Sequence, residues 1–181
     1  PGNPLTSSYL RSSEQDRNFR NLGASLQFKH LFPKKGAEWT ADLNYNRVRF
    51  EGGSEFMTTF DSGITTREKQ EGMGNGSFVT LQTDFINPLS ESTKIEGGLK
   101  ATLRDNRNDN ANFVFSDTEN NWLQVAQIPD HFKFNDNVYA AYIQGSHQRG
   151  NWGIQAGLRA ESSLYTGALT DRDSSFSIAY P

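Results

Sequence analysis

The sequence predicts an all-β fold, an antiparallel up-and-down meander of about six long strands. Two observations predict it. Apolar and polar side chains alternate along several runs, and a period of two belongs to an extended strand with two unlike faces. The connections between these runs alternate between short and long, as they do when every tight turn of a meander lies at the same end.

The clearest pair of runs is Ser77–Arg104, which predicts one long β-hairpin. In its second run, Leu99 and its alternate neighbours are apolar, whereas Lys100 and its alternate neighbours are mostly polar. Pro88 lies between the runs, because its fixed φ and missing N–H suit a turn rather than a strand interior.

The same pattern places the other elements in one segment, residues 1–181. Strands are expected at about 20–31, 38–50, 77–87, 92–104, 137–146 and 151–165, and long loops at 51–76, 105–135 and 166–181. Residues 56–66 are a candidate extension of the strands. The facing of the fifth strand stays open, since apolar residues occupy both of its alternating positions. Both ends of the sequence look like cuts within a longer protein.

Composition excludes several classes of protein. Hydrophobic residues make up 34% of the chain and aromatic residues 12%, a balance too polar for an ordinary core and too aromatic for disorder. The net charge of −3 gives no basic footprint for nucleic acid. With no cysteine, the chain has no disulfide framework and no thiolate metal site.

The asymmetry of the connections favours part of a transmembrane β-barrel, because outer-membrane barrels have short turns at one end and long loops at the other. Two levels of aromatic residues match the girdles at the two membrane interfaces. The alternative is that these are core aromatics of a soluble sheet. Beside the short turns stand Phe32, Trp39, Phe85 and Trp152, and toward the long loops stand Tyr45, Phe50 and Tyr165.

Polar residues at the alternate positions would line the lumen of such a barrel, whereas in a soluble sheet they would form a solvated face. Their mixed signs favour neither a cation pore nor an anion pore. The predicted lumen-facing residues are Asp42, Asn44, Asp84, Lys94, Glu96, Lys100, Arg104, Arg159 and Glu161.

Catalytic and metal constellations are not recognisable in the sequence, so we expect no enzyme activity, no cofactor and no metal. His30, His131 and His147 are far apart in the chain, and Asp105–Asn110 lacks the glycine and glutamate of a calcium loop. Candidate ligand contacts in the external loops are Phe113, Phe115 and Trp122, which could stack on a solute. The alternative is a structural role, in which these three aromatic residues pack the loop onto the barrel rim.

Three stretches, LFPKKGAEWTADLNYNR (31–47), LQTDFINPLSESTKIEGGLKATLR (81–104) and DNVYAAYIQGSHQRGNWGIQAGLRAE (136–161), carry a family resemblance. Together they resemble the barrel segment of TonB-dependent receptor-like proteins of Bacteroidetes-type bacteria, over about residues 19–165. The resemblance implies a fragment of a large plugged barrel in the outer membrane of a Gram-negative cell, which takes up a scarce nutrient. The partners it implies are outer-membrane lipid, a plug domain, an energy-coupling protein and a small-molecule or oligosaccharide solute, with no nucleic acid.

The competing hypothesis is a soluble, secreted all-β module that binds a ligand or glycan. It would explain the alternation and the aromatic content. It would not explain why the short connections and the long connections fall at opposite ends.

Overall fold

The computed structural model describes residues 8–125, 131–169 and 174–181, and they form one antiparallel sheet of eight strands. The predicted all-β meander is confirmed. The sheet order is β1-β2-β3-β4-β6-β7-β8, and the short β5 pairs with β4 beyond β6. The strands are β1 (Tyr9–Leu31), β2 (Glu38–Phe60), β3 (Thr65–Pro88), β4 (Thr93–Ser116), β5 (Asn121–Gln124), β6 (His131–Arg149), β7 (Trp152–Leu169) and β8 (Ser174–Tyr180).

The connections of the meander alternate between the two ends of the sheet, but the described turns at the two ends are similar in length, so the predicted contrast between short and long connections is wrong there. At one end, here called the turn end, lie the connections 32–37, 89–92 and 150–151. Gly36 (φ 78°) and Gly150 (φ 58°) take left-handed backbone there, which glycine adopts without the strain that a Cβ would add. At the opposite end, the loop end, lie 61–64 and 117–120.

The strands are longer than predicted, and the predicted long loops are wrong over much of their length. Residues 51–60 continue β2 and residues 65–76 continue β3, so that only 61–64 form the turn. Residues 105–116 continue β4, 121–124 form β5 and 131–135 begin β6; β8 lies within the predicted final loop. The rest of those two loops, 126–130 and 170–173, lies outside the described residues.

Ladder hydrogen bonds explain the error. An antiparallel pair needs only extended backbones in register, so pairing continues after the alternation of apolar side chains has ended. Beyond Phe50 and Arg104, polar and small residues occupy both faces as far as Glu55 and Asn112, and the sequence pattern therefore loses its period.

Register assigns every residue to one of two faces, because directly opposed residues share a face. We call them the Leu99 face and the Lys100 face. Leu99 opposes Thr83 on β3 and Ala141 on β6, which settles the open facing of the fifth strand. Tyr139, Ala141 and Ile143 are on the Leu99 face, and Val138, Ala140 and Tyr142 are on the Lys100 face.

The sheet is a single layer with almost no core. Among the described residues, the buried hydrophobic ones are Ala37 and Ala140, and no large side chain is fully buried. Trp152 is 81% exposed and Leu158 is 79% exposed. Exposing this much apolar surface to water is unfavourable, so the sheet needs a cover that these residues do not supply.

Among the described residues, no helix is long and apolar enough to cross a membrane.

Candidate functional site

The half of the Leu99 face nearer the turn end is a continuous apolar band across six strands. Register places Leu26 opposite Leu43, Leu43 opposite Leu81, and Leu81 opposite Ala101. On β4 the band runs from Ile95 to Leu103, about 26 Å of strand at roughly 3.3 Å per residue. Strands in membrane barrels are tilted by about 35–45°, so this length of strand would span about 19–22 Å of bilayer, somewhat less than the apolar band of about 25 Å on membrane barrels.

Aromatic side chains on the Leu99 face border this band toward the turn end. The ring centroids of Phe28 and Trp39 are 5.3 Å apart, and those of Phe32 and Phe85 are 5.6 Å apart. Trp39 Nε1 donates to Thr83 Oγ1 at 2.6 Å, so the indole has an apolar body and a satisfied polar edge. These residues have the arrangement of an interfacial girdle.

The second predicted aromatic level is wrong for two of its three residues. Tyr45 is on the Leu99 face, opposite Val79. Phe50 opposes Gly74, and Tyr165 opposes Asp136, so both are on the Lys100 face. Successive residues of a strand point to opposite faces. Phe50 and Tyr165 each lie an odd number of residues from the apolar positions of their own strands, so they are on the face opposite to the band.

The aromatic border of the band does not follow a single row of residues paired across the sheet. The row through Trp39 passes through Phe85, Gly97 and Ile143 to Leu158. On β7, however, the girdle tryptophan is Trp152, which precedes Leu158 by six residues. The aromatic border therefore shifts toward the turn end between β2 and β7.

All nine residues predicted to face the lumen lie on the Lys100 face, and many are connected. Arg104 Nη1 donates to Asp136 Oδ2 at 2.6 Å, and Arg159 Nη2 donates to Glu161 Oε2 at 2.9 Å. Lys94 and Gln144 both contact Glu96. A polar face crossed by such bonds is suited to line a wet interior, and its charges largely neutralise one another.

A tighter group within this face joins three strands around Gly98. Tyr142 Oη donates to Asp84 Oδ1 at 2.6 Å, and Gln82 Nε2 donates to Asp84 Oδ2 at 2.8 Å. A Cβ on Gly98 would stand within 3.0 Å of both Asp84 Oδ1 and Tyr142 Cε1. The bond between β3 and β6 therefore crosses β4 where β4 has no side chain.

The two faces exchange character toward the loop end. The Leu99 face becomes charged, with Arg49 beside Glu51 on β2 and Arg107 Nε 3.2 Å from Asp109 Oδ2 on β4. The Lys100 face becomes aromatic. There the rings of Phe132, Phe134, Tyr165 and Tyr180 follow one another with centroids 6.0–6.2 Å apart.

A shallow pocket of about 730 Å³ opens between β1, β2, β3 and β4 in this loop-end half. Asparagines at alternate positions of β4 oppose glycines of β3: Asn110 opposes Gly72, and Asn108 opposes Gly74. The glycines leave room that side chains would fill, and the amides offer both donors and acceptors. Its lining on the Lys100 face includes Phe19, Phe50, Gly52, Gln70, Gly72, Asn110 and Asn112.

Sequence reasoning did not identify this pocket. The signal was present as two period-two runs, glycine at 72, 74 and 76 and asparagine at 106, 108, 110 and 112. Only the register of β3 against β4 shows that the two runs face each other.

The three predicted ligand contacts come together, but on the Leu99 face. Phe115 and Trp122 pack edge to face with centroids 5.4 Å apart. The guanidinium of Arg67 is 4.4 Å from the centroid of Phe115, and Lys69 Nζ is 5.4 Å from that of Phe113. These cation–π contacts pack the β4–β5 hairpin against β3. A role for the three aromatics in ligand binding stays a prediction.

The histidines lie in separate places. His30 packs against Phe32, and His147 Nδ1 is 2.8 Å from Thr93 Oγ1. His131 Nδ1 is 2.6 Å from Asp109 Oδ1. In the part of the chain that the structure describes, no three His, Cys, Asp or Glu residues group as metal ligands would.

Asp109 lies beyond the apolar band, and its contacts change its acidity. Hydrogen bonding to His131, and then to Arg107, lowers the pKa of Asp109 below its ordinary value of 3.8. The hydrogen-bonded form is the carboxylate, so both contacts favour it over the protonated form.

Comparison with known proteins supplies a family. Residues 30–181 match the model of the family described as outer membrane protein beta-barrel family. No curated protein matches the chain.

Solved structures give more distant likenesses. The unliganded ferric citrate transporter FecA is 10% identical with a TM-score of 0.46, over 80% of this chain and 24% of FecA. Clostridium perfringens delta-toxin is 5% identical with a TM-score of 0.22, over 75% of this chain and 97% of the toxin. The chain thus spans about a quarter of the length of FecA.

Proposed function

Because the chain belongs to the outer membrane protein β-barrel family and resides in the outer membrane, we propose that it forms part of the wall of a TonB-dependent receptor of Bacteroidetes type. The parent protein takes up a scarce nutrient through a plugged barrel, with energy relayed by an inner-membrane partner. This segment has a structural and ligand-contacting role and no catalytic one.

The observation that carries the proposal is the division of six strands into an apolar band and a polar network on opposite faces. Lipid covers the Leu99 face, which removes the exposed apolar surface from water. The Lys100 face, with Asp84, Glu96 and Arg104 bonded across strands, then lines a wet lumen. A soluble module would need a second apolar layer over Leu99, and the described residues form a single sheet.

The position of the pocket supports a receptor role. Loop ends face the cell exterior in outer-membrane barrels, so the pocket beside Gly72 and Asn110 lies on the route of an incoming solute. Aromatic rings and amides together suit a hydroxyl-rich or amide-rich solute, and Arg17 adds one cation to the lining.

Fractionation tests the barrel assignment first. An antibody raised to residues 77–104 should detect, in outer membranes, a band several times larger than 20.3 kDa whose mobility changes on boiling. A band of 20.3 kDa in a soluble fraction would disprove the proposal.

Adjacent substitutions test which face meets lipid. Leu99→Arg places a charge in the band and should destabilise assembly by roughly 2–4 kcal/mol near mid-bilayer. Lys100→Ala removes a charge from the other face and should have little effect. The measurement is the amount of heat-modifiable protein in the outer membrane, and equal losses for both variants would contradict the assignment of faces.

Uptake is tested at the pocket. Gly72→Leu places a side chain in the pocket, whereas Ala111→Leu enlarges a side chain on the opposite face, next to the pocket residue Asn110. A strain lacking the parent protein would be complemented with each variant and grown on a panel of limiting solutes. Gly72→Leu should slow growth on the solute that requires the protein, and Ala111→Leu should not; equal growth of both strains would remove the pocket from the uptake route.

A further inference from the structure

We propose that Arg20, Arg47 and Arg49 bind the phosphate groups of lipid headgroups in the outer leaflet of the membrane. The three residues are called the arginine triad. The inference rests on the proposed function for one point, namely that the Leu99 face meets lipid and the loop end is external.

Register places the triad directly above the apolar band. Arg47 opposes Leu22, the last apolar residue of the band on β1, and Arg49 opposes Arg20. On β2 the last apolar residue of the band is Tyr45, one same-face step of roughly 7 Å below Arg47. The triad therefore stands at the level where acyl chains end and headgroups begin.

The triad carries more positive charge than its neighbours neutralise. All three side chains are exposed. Arg49 pairs with Glu51 and also lies 3.6 Å from Met73 Sδ, whereas Arg20 and Arg47 have no acidic partner within 4.0 Å among the described residues. Two guanidinium groups are thus available to an external anion.

The neighbouring strand supplies neutral donors at the same level. Ser77 opposes Arg47, and Asn75 opposes Arg49, so a hydroxyl and an amide flank the triad on β3. Guanidinium groups present paired N–H donors that match two phosphate oxygens, which makes arginine better suited to phosphate than lysine. The set has the chemistry of a phosphate site.

The position of the triad on the Leu99 face distinguishes a lipid phosphate from a soluble anion. A soluble anion on its way through the barrel would meet the Lys100 face, but the triad is on the Leu99 face with the apolar band. A headgroup whose acyl chains lie along Leu22 and Tyr45 reaches the triad without leaving the bilayer. We therefore commit to a phosphate-bearing lipid.

The test is a lipid titration of the full-length parent protein in zwitterionic detergent, followed by native mass spectrometry. The probes are monophosphoryl lipid A, phosphatidylcholine and inorganic phosphate. The wild type should bind lipid A more tightly than phosphatidylcholine. Replacing the triad by glutamine should weaken lipid A binding about fivefold for each of Arg20 and Arg47, since a cation near an anionic surface is worth about 1 kcal/mol, and by less for Arg49, which is paired with Glu51.

Lys100→Gln is the matched control, because it removes one cation from the opposite face and should leave lipid A binding unchanged. Equal lipid A affinity for the wild type and the triple variant would overturn the proposal. So would inorganic phosphate that binds as tightly as lipid A, because the site would then be one for free anions. Failure of the proposed function would show separately, as a parent protein absent from the outer membrane.

Discussion

Gly98 lies between Asp84 and Tyr142, and its lack of a side chain allows them to bond across β4. Gly97, its neighbour, is on the Leu99 face, where a Cβ would meet only Tyr142 O at 3.4 Å. A methyl group at Gly98 would therefore collide with Asp84 and Tyr142, whereas one at the adjacent Gly97 would be accommodated.

Gly98→Ala should destabilise the folded parent barrel by about 1–3 kcal/mol, because the methyl group displaces Tyr142 or Asp84. Gly97→Ala should change stability by less than about 0.5 kcal/mol, because it adds a methyl group in open surroundings. The temperature at which the heat-modifiable band is lost measures both. A lower temperature for Gly97→Ala than for Gly98→Ala would contradict the assigned contacts.

Acid should loosen the loop end at Asp109. Its pKa is lower in the folded protein than in the unfolded chain, so the contribution to stability is present above about pH 3.8 and is lost as pH falls through the folded pKa. Hydrogen exchange of peptides from β4 and β6, normalised to intrinsic rates, should rise as the pH falls from about 4 to about 2. Asp109→Asn should remove most of that rise; an unchanged rise would assign it to other groups.

At the scale of the element, each hairpin has a turn-end half that carries the apolar band, which we propose lies in the membrane, and a loop-end half with different chemistry. β3 and β4 are 24 residues each, about twice the 9–11 residues that a membrane strand needs. The turn at 117–120 should therefore stand well outside the bilayer, and the turn at 89–92 should lie at its opposite surface.

An epitope inserted at 117–120 should bind antibody on intact cells, whereas one inserted at 89–92 should bind only after the outer membrane is permeabilised. Both turns are exposed, so each inserted epitope would lie in solvent rather than within the sheet. Flow cytometry of the two strains measures this. Staining of intact cells through 89–92 would reverse the assigned orientation.

The same division explains what the sequence could predict. Within the band, Leu26, Leu43, Leu81 and Leu99 alternate with residues that are mostly polar, and six strands were predicted from that contrast between the two faces. Beyond Phe50 apolar and polar residues no longer alternate, so composition no longer reports pairing; residues 56–66 were only a candidate extension, and the continuous extensions of β2 and β3 were not predicted.

The sequence pattern predicted that nine polar residues share one face of the sheet, and register places all nine on the Lys100 face. Their partners were not, because partners depend on register. Tyr142 shows this: its own strand left its facing open, and only the pairing of Gly98 with Tyr142 places it beside Asp84.

At the scale of the whole molecule, the sheet is open. The outer edge of β1 has no strand partner among the described residues, and all its side chains are exposed. A long unpaired edge beside an exposed apolar band favours pairing with other chains. The isolated 181-residue segment should therefore aggregate in detergent-free buffer.

Size-exclusion chromatography of the refolded segment, with and without detergent, measures this. Large assemblies without detergent and smaller ones with it are expected. A monodisperse monomer in buffer alone would show that the segment covers its own apolar face.

The offset between Trp39 and Trp152 has a geometric consequence. If both tryptophans mark one membrane surface, the border moves about 20 Å along the strands, at about 3.3 Å per residue, while the sheet advances four strand spacings of about 4.8 Å. The shift along the strands and the distance across them are about equal, which corresponds to strands tilted about 45° from the membrane normal. Strands in closed membrane barrels have this tilt. A strand tilted by about 45° is displaced along the membrane plane as far as it extends along the membrane normal. Each loop-end turn therefore lies above a neighbouring strand of the sheet rather than above the membrane segment of its own hairpin.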